Sequence, residues 1–336
     1  MRPLEPPALA DILAARERIR GVALRTPLVR LFVDGPSEIW LKLETLQPIG
    51  SFKLRGACNA MRSARREDLA RGVVTASAGN MAQGVAWSAR LLNVPCDVVV
   101  PEHAPQTKLE AIQRLGGRIT KVPFDSWWKA MVEHHHPGLE GVFIHPVSDP
   151  AVIAGNGTVG VEILEDLPDV DAIVVPFGGG GQSCGIAAAM RELAPRVRVW
   201  AAEVDTAAPL AASLAAGEPR AASYTPSFVD GIGAKSLLAE MWPMARDLLA
   251  GSQVVSLAEI ASAIRLLVER VRVVAEGAGA ASVAAALSGR IEARRIACVV
   301  SGGNIDLTTL RTILAGAVPG TGEALTSSAR TAGPPS

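Results

Sequence analysis

The chain lacks several features that mark specialised classes of protein. Its four cysteines are scattered and show no CxxC or zinc-type spacing, which argues against a disulfide framework or a zinc module. The 33 basic residues are balanced by 33 acidic ones, which argues against a nucleic-acid partner or an anionic membrane surface. The sequence contains neither a recognisable signal peptide nor an apolar run long enough to span a membrane. We therefore expect a cytoplasmic protein with reduced thiols.

What the chain does have is a large share of apolar residues in alternating strands and helices. Apolar residues make up 49% of the 336, and aromatic residues only 4%, which suits helices packed tightly on a sheet. The predicted strands are 38–44, 72–77, 96–101, 117–123, 171–177, 197–204 and 295–301, and the predicted helices are 8–20, 52–65, 81–92, 105–115, 151–165, 183–193, 257–270, 277–289 and 306–315. This alternation predicts an α/β fold with two parallel-sheet lobes and a cleft between them.

The segment PIGSFKLRGA, Pro48 to Ala57, places a lysine where a cation is unfavourable. Ser51 is predicted to cap a helix whose first residues are Phe52 and Lys53, and the helix dipole is positive at that end. One interpretation is a solvated lysine that tolerates a small electrostatic cost. The other is an amine that has to be neutral because it acts as a nucleophile or a base.

Four consecutive glycines, Gly178 to Gly181, follow the predicted strand 171–177 and open a helix. Such a bend lets several backbone N–H groups point at one place, so it can hold a phosphate without a basic side chain. An ordinary tight turn would need only one or two glycines. A dinucleotide site is the alternative, since Glu203 ends the next strand, but the GxGxxG spacing fails at Ser183 and Cys184.

Two more polar turns follow predicted strands, in ASAGNMAQG (Ala76 to Gly84) and SGGNID (Ser301 to Asp306). Ser77 and Asn80 could bind a carboxylate, although such residues also cap helices routinely. Ends of parallel strands are where α/β sheets bind ligands. An amine, a phosphate loop and polar turns are together what pyridoxal 5'-phosphate (PLP) needs, so PLP is the predicted cofactor.

The sequence resembles the fold-type II PLP enzymes, whose fold is tryptophan synthase β-like, and within them the serine/threonine dehydratase (threonine ammonia-lyase) group in its short form without a regulatory domain. The resemblance covers residues 8 to 316. It is carried by six motifs in order: SFKLRGA, SAGNMAQG, GGGGQ, DGIG (230–233), EGAGA (276–280) and SGGNID.

The resemblance implies a role for each matching residue. Lys53 would bind the cofactor's aldehyde and act as the catalytic base. The other cofactor-binding residues would be Phe52 against the ring, Asn80 at the phenolic oxygen, Gly178, Gly179, Gly180, Gly181 and Gln182 at the phosphate, and Ser301 at the ring nitrogen. The substrate site would comprise Ser77, Ala78, Gly79, Asn80 and Met81.

The resemblance also implies an organisation and an activity. Residues 1–71 and 149–320 would form a large PLP-binding lobe, 72–148 a small mobile lobe, and 321–336 a flexible tail. The expected protein is a homodimer that eliminates water and ammonia from a 3-hydroxy amino acid, such as L-threonine or L-serine, to give a 2-oxo acid. Serine opposite the ring nitrogen suits elimination better than transamination.

Three positions depart from the family pattern. Met81 replaces the usual histidine, either as packing or as part of an altered pocket for a bulkier β-substituent. Ala78 replaces the acid/base serine of the racemases, which disfavours racemisation. Near Glu203, where some relatives bind a divalent cation, Asp205 is present but Pro209 supplies no acid, so no metal is expected.

Several other interpretations are weighed against this one. The histidine run in EHHHPG (133–138) is expected to be a solvated turn, because adjacent histidines do not share a helix face. Arg55 is expected to brace its helix rather than to contact substrate. The rival functions are β-replacement or elimination on another amino acid, an NAD-binding oxidoreductase, and a PLP-binding protein without catalysis.

Overall fold

The computed structural model describes residues 3–320, so the predicted tail 321–336 lies outside the described residues. The strands are β1 (Leu28–Leu31), β2 (Glu38–Leu43), β3 (Val73–Ala76), β4 (Cys96–Pro101), β5 (Arg118–Val122), β6 (Val142–Phe143), β7 (Ala172–Pro176), β8 (Arg198–Val204), β9 (Gly251–Val255) and β10 (Arg295–Val300). The helices are α1 (Leu9–Ile19), α2 (Lys53–Ser63), α3 (Arg66–Leu69), α4 (Asn80–Leu92), α5 (Gln106–Arg114), α6 (Phe124–Glu133), α7 (Pro150–Asp166), α8 (Ser183–Leu193), α9 (Pro209–Ala216), α10 (Trp242–Leu248), α11 (Leu257–Val271), α12 (Gly277–Leu287) and α13 (Leu307–Leu314).

Six strands form the larger sheet, in the order β1-β2-β10-β7-β8-β9. All neighbours are parallel except the edge pair β1 and β2. Side chains alternate between two cores: Ile173 and Val175 face one of them, and Ala172 and Val174 the other. Because both faces are covered by helices, the central strands are apolar on both sides, as expected of a parallel sheet.

Four parallel strands form the smaller sheet, in the order β5-β4-β3-β6. Val73 and Val98 pack with Met81, which lies on α4, while Val74 and Val99 on the other face pack with α6. Every strand of this sheet lies between residues 73 and 143. The division into lobes at 71/72 and 148/149 stays a prediction.

The predicted α/β class with two parallel sheets is confirmed, and most predicted elements begin and end within two residues of the observed ones. The sequence analysis missed two strands at the edges of the larger sheet, β1 and β9, and the short strand β6. It also missed helices α3, α6, α9 and α10. Across residues 3–320, none of the helices combines the length and apolar character that crossing a membrane requires.

A buried cluster of charges fixes the helix that begins at Lys53. The Arg55 guanidinium donates to both carboxylate oxygens of Glu44 at 2.8 Å and to those of Glu162 at 2.7 and 2.8 Å. The Lys42 ammonium pairs with Glu162 at 2.7 Å. Burial raises the pKa of Glu44, but Arg55 lowers it further, so the net pKa lies below its ordinary value. The expectation that Arg55 braces α2 is confirmed.

Candidate active site

A cavity of about 480 Å³ opens at the carboxyl ends of strands from both sheets. Its walls come from the residues that follow β3, β4, β7 and β10, and from the start of α2. All the predicted site residues line it: Phe52, Lys53, Ser77, Ala78, Gly79, Asn80, Met81, Gly178, Gly179, Gly180, Gly181, Gln182 and Ser301. The fold thus brings the predicted site residues together from four separate segments of the chain.

Lys53 lies in the first turn of α2, as predicted, and is its first residue. The helix is capped one residue later than expected: Phe52 is the N-cap residue, and Ser51 Oγ accepts only a long bond of 3.4 Å from the Lys53 N–H. The Lys53 amine donates to the Pro146 carbonyl at 2.8 Å. Burial lowers the pKa of Lys53 to about 8, although the Glu276 carboxylate acts in the opposite direction. The amine is therefore much easier to deprotonate than a surface lysine.

The glycine loop packs against Val147 so closely that side chains are excluded from it. A Cβ atom on Gly179 would lie 2.6 Å from Val147 Cγ1, and one on Gly181 would lie 2.9 Å from the Val147 carbonyl oxygen. Gly180 has a φ of +91°, which favours glycine. Next to the loop, both polar atoms of the buried Gln182 amide have no hydrogen-bond partner within residues 3–320. A ligand oxygen that accepts a hydrogen bond would satisfy the Nε2 donor.

Three polar side chains that line the cavity are joined by hydrogen bonds. Asn80 Nδ2 donates to Glu276 Oε1 at 2.8 Å, and Asn304 Nδ2 donates to Asn80 Oδ1 at the same distance. Burial, with Asp230 nearby, raises the pKa of Glu276 to about 7, against the opposing effect of Lys108. The sequence analysis quoted the motifs that hold Glu276 and Asn304, but it gave neither residue a role.

Ser301 directly follows β10 and is tied to the start of α2. It is buried, and its carbonyl oxygen accepts the Phe52 N–H at 3.0 Å. This bond holds the residue before Lys53 against the end of a central strand. The lysine and Ser301 are therefore held in one rigid unit.

The wall on the side of the smaller sheet is mainly apolar. Ser77 Oγ accepts the Gly79 N–H at 3.2 Å, and Ala78 presents only a methyl group. Met81 is 2% exposed, so it packs in the core of the smaller sheet and lines the cavity as well. Trp127, which lies on α6, also lines the cavity.

One ion pair joins the two sides of the cavity at its mouth. Lys108, on α5, pairs with Asp230, which lies in the DGIG segment. Both residues line the cavity. Sequence reasoning could not find this pair, because the partners are 122 residues apart.

Two predicted features outside the cavity can also be located. The Glu203 carboxylate accepts the N–H groups of Leu210 and Ala211 at 2.8 Å and so caps α9. Within residues 3–320, no three His, Cys, Asp or Glu side chains group as a metal site would require.

The expected solvated histidine turn is wrong for His134, which is half-buried and stacks on His145 with ring centroids 4.3 Å apart.

The residues of the cavity fit PLP. A lysine amine of lowered pKa, a glycine loop followed by the unpaired amide of Gln182, and their place at the strand ends of a parallel sheet are typical of enzymes that carry this cofactor on a lysine. The comparison with family models agrees. The chain belongs to the family of pyridoxal-phosphate dependent enzymes, whose model matches residues 19–302. The predicted cofactor and fold type are confirmed, and the NAD-binding alternative is wrong.

The similar proteins include threonine ammonia-lyases, also named dehydratases, and serine racemases. The L-threonine ammonia-lyase of Thermotoga maritima is 40% identical over 313 residues, which cover 91% of this chain and 78% of that protein. The catabolic L-threonine dehydratase of Escherichia coli strain K12 is 38% identical over 317 residues, covering 92% and 96%. The structure of maize serine racemase matches with a TM-score of 0.85 at 34% identity, covering 92% and 97%. The predicted similarity to threonine ammonia-lyases is confirmed.

Proposed function

We propose that the protein eliminates water and ammonia from a 3-hydroxy amino acid, such as L-threonine or L-serine, and releases a 2-oxo acid. The observation that carries the proposal is the Lys53 amine, which lies in the cavity with its pKa lowered to about 8. A general base works best when its pKa is near the working pH. The similarity to threonine ammonia-lyases supports the choice of reaction.

When bound, PLP supplies an aldehyde carbon that joins the substrate amine and a ring that withdraws electrons from Cα. Lys53 would bind that carbon, and its amine would take the Cα proton once the substrate amine has replaced it. The glycine loop and Gln182 would hold the phosphate, and Phe52 would lie against the ring. Asn80 would donate a hydrogen bond to the phenolic oxygen, and Ser301 would donate one to the ring nitrogen.

The substrate is held by the turn after β3. Ser77, Ala78, Gly79 and Asn80 bind its carboxylate through backbone N–H groups and polar side chains at the start of α4. The Cβ–O bond breaks, and the hydroxyl leaves as water once it has gained a proton. Hydrolysis of the released enamine consumes one water, equal to the one that left, and gives the oxo acid and ammonia, so the net change in the substrate is the loss of one ammonia.

Racemisation is the second candidate, because the maize relative is named a serine racemase. It needs a proton donor on the face of Cα opposite Lys53. Ala78 lines the cavity at the position where the racemases carry a serine, and its methyl group cannot deliver a proton. Elimination is therefore favoured over racemisation.

The proposal is tested by measuring 2-oxo acid release from a panel of 3-hydroxy amino acids. Wild type is expected to turn over at least one of them and to show a visible absorption band that borohydride abolishes. Lys53→Ala should lose both, whereas Lys129→Ala, which changes an exposed lysine, should keep both. A band without turnover would indicate a PLP-binding protein without catalysis. Undiminished oxo acid release by Lys53→Ala would contradict the role of Lys53, and no release by wild type without an added nucleophile would contradict elimination.

Met81 is tested by running the same panel with Met81→His. If Met81 shapes the pocket for the β-substituent, the exchange should move the preference towards smaller, more polar substrates. If the order of substrates is unchanged, Met81 only packs. Chiral analysis of the remaining substrate measures racemisation at the same time, and Ala78→Ser should increase it.

We also propose the finer organisation that the resemblance implies. Residues 72–148 move as a small lobe against 1–71 and 149–320, the protein is a homodimer, and it works in the cytoplasm. The four cysteines are buried and free, which supports a reducing compartment. Light scattering of the purified protein tests the dimer, and a monomeric mass at micromolar concentration would contradict it.

A further inference from the structure

The turn between β6 and α7 contacts both the Lys53 amine and the glycine loop. The Pro146 carbonyl accepts the Lys53 amine at 2.8 Å. The next residue, Val147, fills the space beside the glycine loop and comes within 2.6 Å of where a Cβ of Gly179 would be. This turn therefore sets the position of the amine relative to the phosphate loop.

One imidazole holds the turn together from inside. His145 Nδ1 receives the N–H groups of Val147 at 3.1 Å and Ser148 at 2.7 Å, and the Ser148 hydroxyl lies 3.0 Å away. The ring is 1% exposed. Because two backbone N–H groups point at Nδ1, that nitrogen has to be the unprotonated one. The proton of the neutral ring is then on Nε2.

The surroundings keep the ring neutral and fix its plane. Burial, together with His134 and Lys53, lowers the pKa of His145 to about 3. The ring stacks on that of His134 with an interplanar angle of 19°. Its centroid lies 6.3 Å from the centroid of the Phe143 ring. Stacking fixes the direction in which Nδ1 points.

We propose that His145 is a positioning residue, which places the Pro146 carbonyl and Val147 so that the Lys53 amine and the glycine loop can bind the same molecule of PLP. The inference rests on the proposed roles of Lys53 and the glycine loop. It concerns cofactor binding rather than the chemical step, because His145 does not line the cavity.

The test compares three variants as purified apoproteins titrated with PLP. His145→Leu removes the acceptor and should weaken PLP binding at least about tenfold, since two buried N–H groups lose their partner. His145→Asn restores an oxygen that can accept from the N–H groups two and three residues on, and should recover most of the affinity. His135→Leu changes an exposed histidine of the same run and should bind like wild type.

The thermal midpoints of the apoproteins separate positioning from packing. Positioning predicts that His145→Leu binds PLP more weakly than His145→Asn at a temperature well below the thermal midpoints of both apoproteins, where each is fully folded. Equal affinity in His145→Leu and wild type would overturn the inference, and so would equal losses of affinity in both variants. If wild type itself does not attach PLP at Lys53, the proposed function fails instead.

A measurement on wild type covers the case in which His145→Leu does not fold. Nitrogen NMR of ¹⁵N-histidine protein reports which ring nitrogen carries the proton. His145 should remain neutral, with the proton on Nε2, from about pH 5 to 9, because an ordinary histidine titrates near 6.5. A proton on Nδ1, or titration in that range, would overturn the inference.

Discussion

The glycine loop allows one prediction to be worked out from distances alone. In Gly181→Ala, the new Cβ would lie 2.9 Å from the Val147 carbonyl oxygen and 3.4 Å from its Cα. These are backbone atoms, so no side-chain rotation can relieve the contact. Gly181 does not have a positive φ, so alanine adds no conformational penalty of its own. Overpacking of this kind costs about 1–3 kcal/mol.

The strain should appear mainly as weaker cofactor binding. If the loop moves to relieve it, the affinity for PLP falls about 5- to 150-fold, since about 1.4 kcal/mol corresponds to tenfold. Absorbance titration of the apoprotein measures this affinity. Gly35→Ala is the matched control, because no heavy atom lies within 4 Å of the added methyl group. An unchanged affinity in Gly181→Ala would refute the role assigned to the loop.

Four further predictions concern charge. The rate at which PLP attaches to the apoprotein should rise with pH around a midpoint near 8, because only the neutral Lys53 amine reacts. Stopped-flow absorbance measures this rate, and a midpoint near 10.5 would contradict the prediction. Lys53 should also contribute stability that grows as pH rises from about 8 to 10.5, because its pKa is lower in the folded chain. Glu276→Gln should move the attachment midpoint below that of wild type. In wild type the Glu276 carboxylate raises the pKa of Lys53, and the neutral amide would not. Glu44→Gln should lower the unfolding free energy by about 3–5 kcal/mol in urea titrations, because it leaves Arg55 partly unpaired in the core; a loss under about 1 kcal/mol would contradict this.

The sequence predicted the central elements of the fold well, because their patterns are strong. β7 and β10 are continuous apolar runs followed by glycine turns, and α11 begins with a complete capping box at Ser256. The missed strands β1 and β9 are edge strands with half-exposed residues, so their apolar signal is weak. α9 is nearly uniform in small apolar residues and shows little periodicity.

The candidate site was predictable where chemistry is local in sequence. The lysine, the glycines and the polar turns each stand next to a strand end or a helix start, and parallel strands bring those ends together. The network of Asn80, Glu276 and Asn304 was not predictable, because it joins residues 196 and 224 positions apart. His145 was missed for a different reason: its acceptor bonds are local, but nothing in the sequence shows that its ring is buried.

The most direct measurement is to reduce the purified holoprotein with borohydride, digest it, and locate the pyridoxyl group by mass spectrometry. We expect a single modified lysine, Lys53, whose amine lies 2.8 Å from the Pro146 carbonyl at the edge of the glycine loop. Modification of a different lysine, or no modified peptide from protein that shows the visible band, would contradict the account.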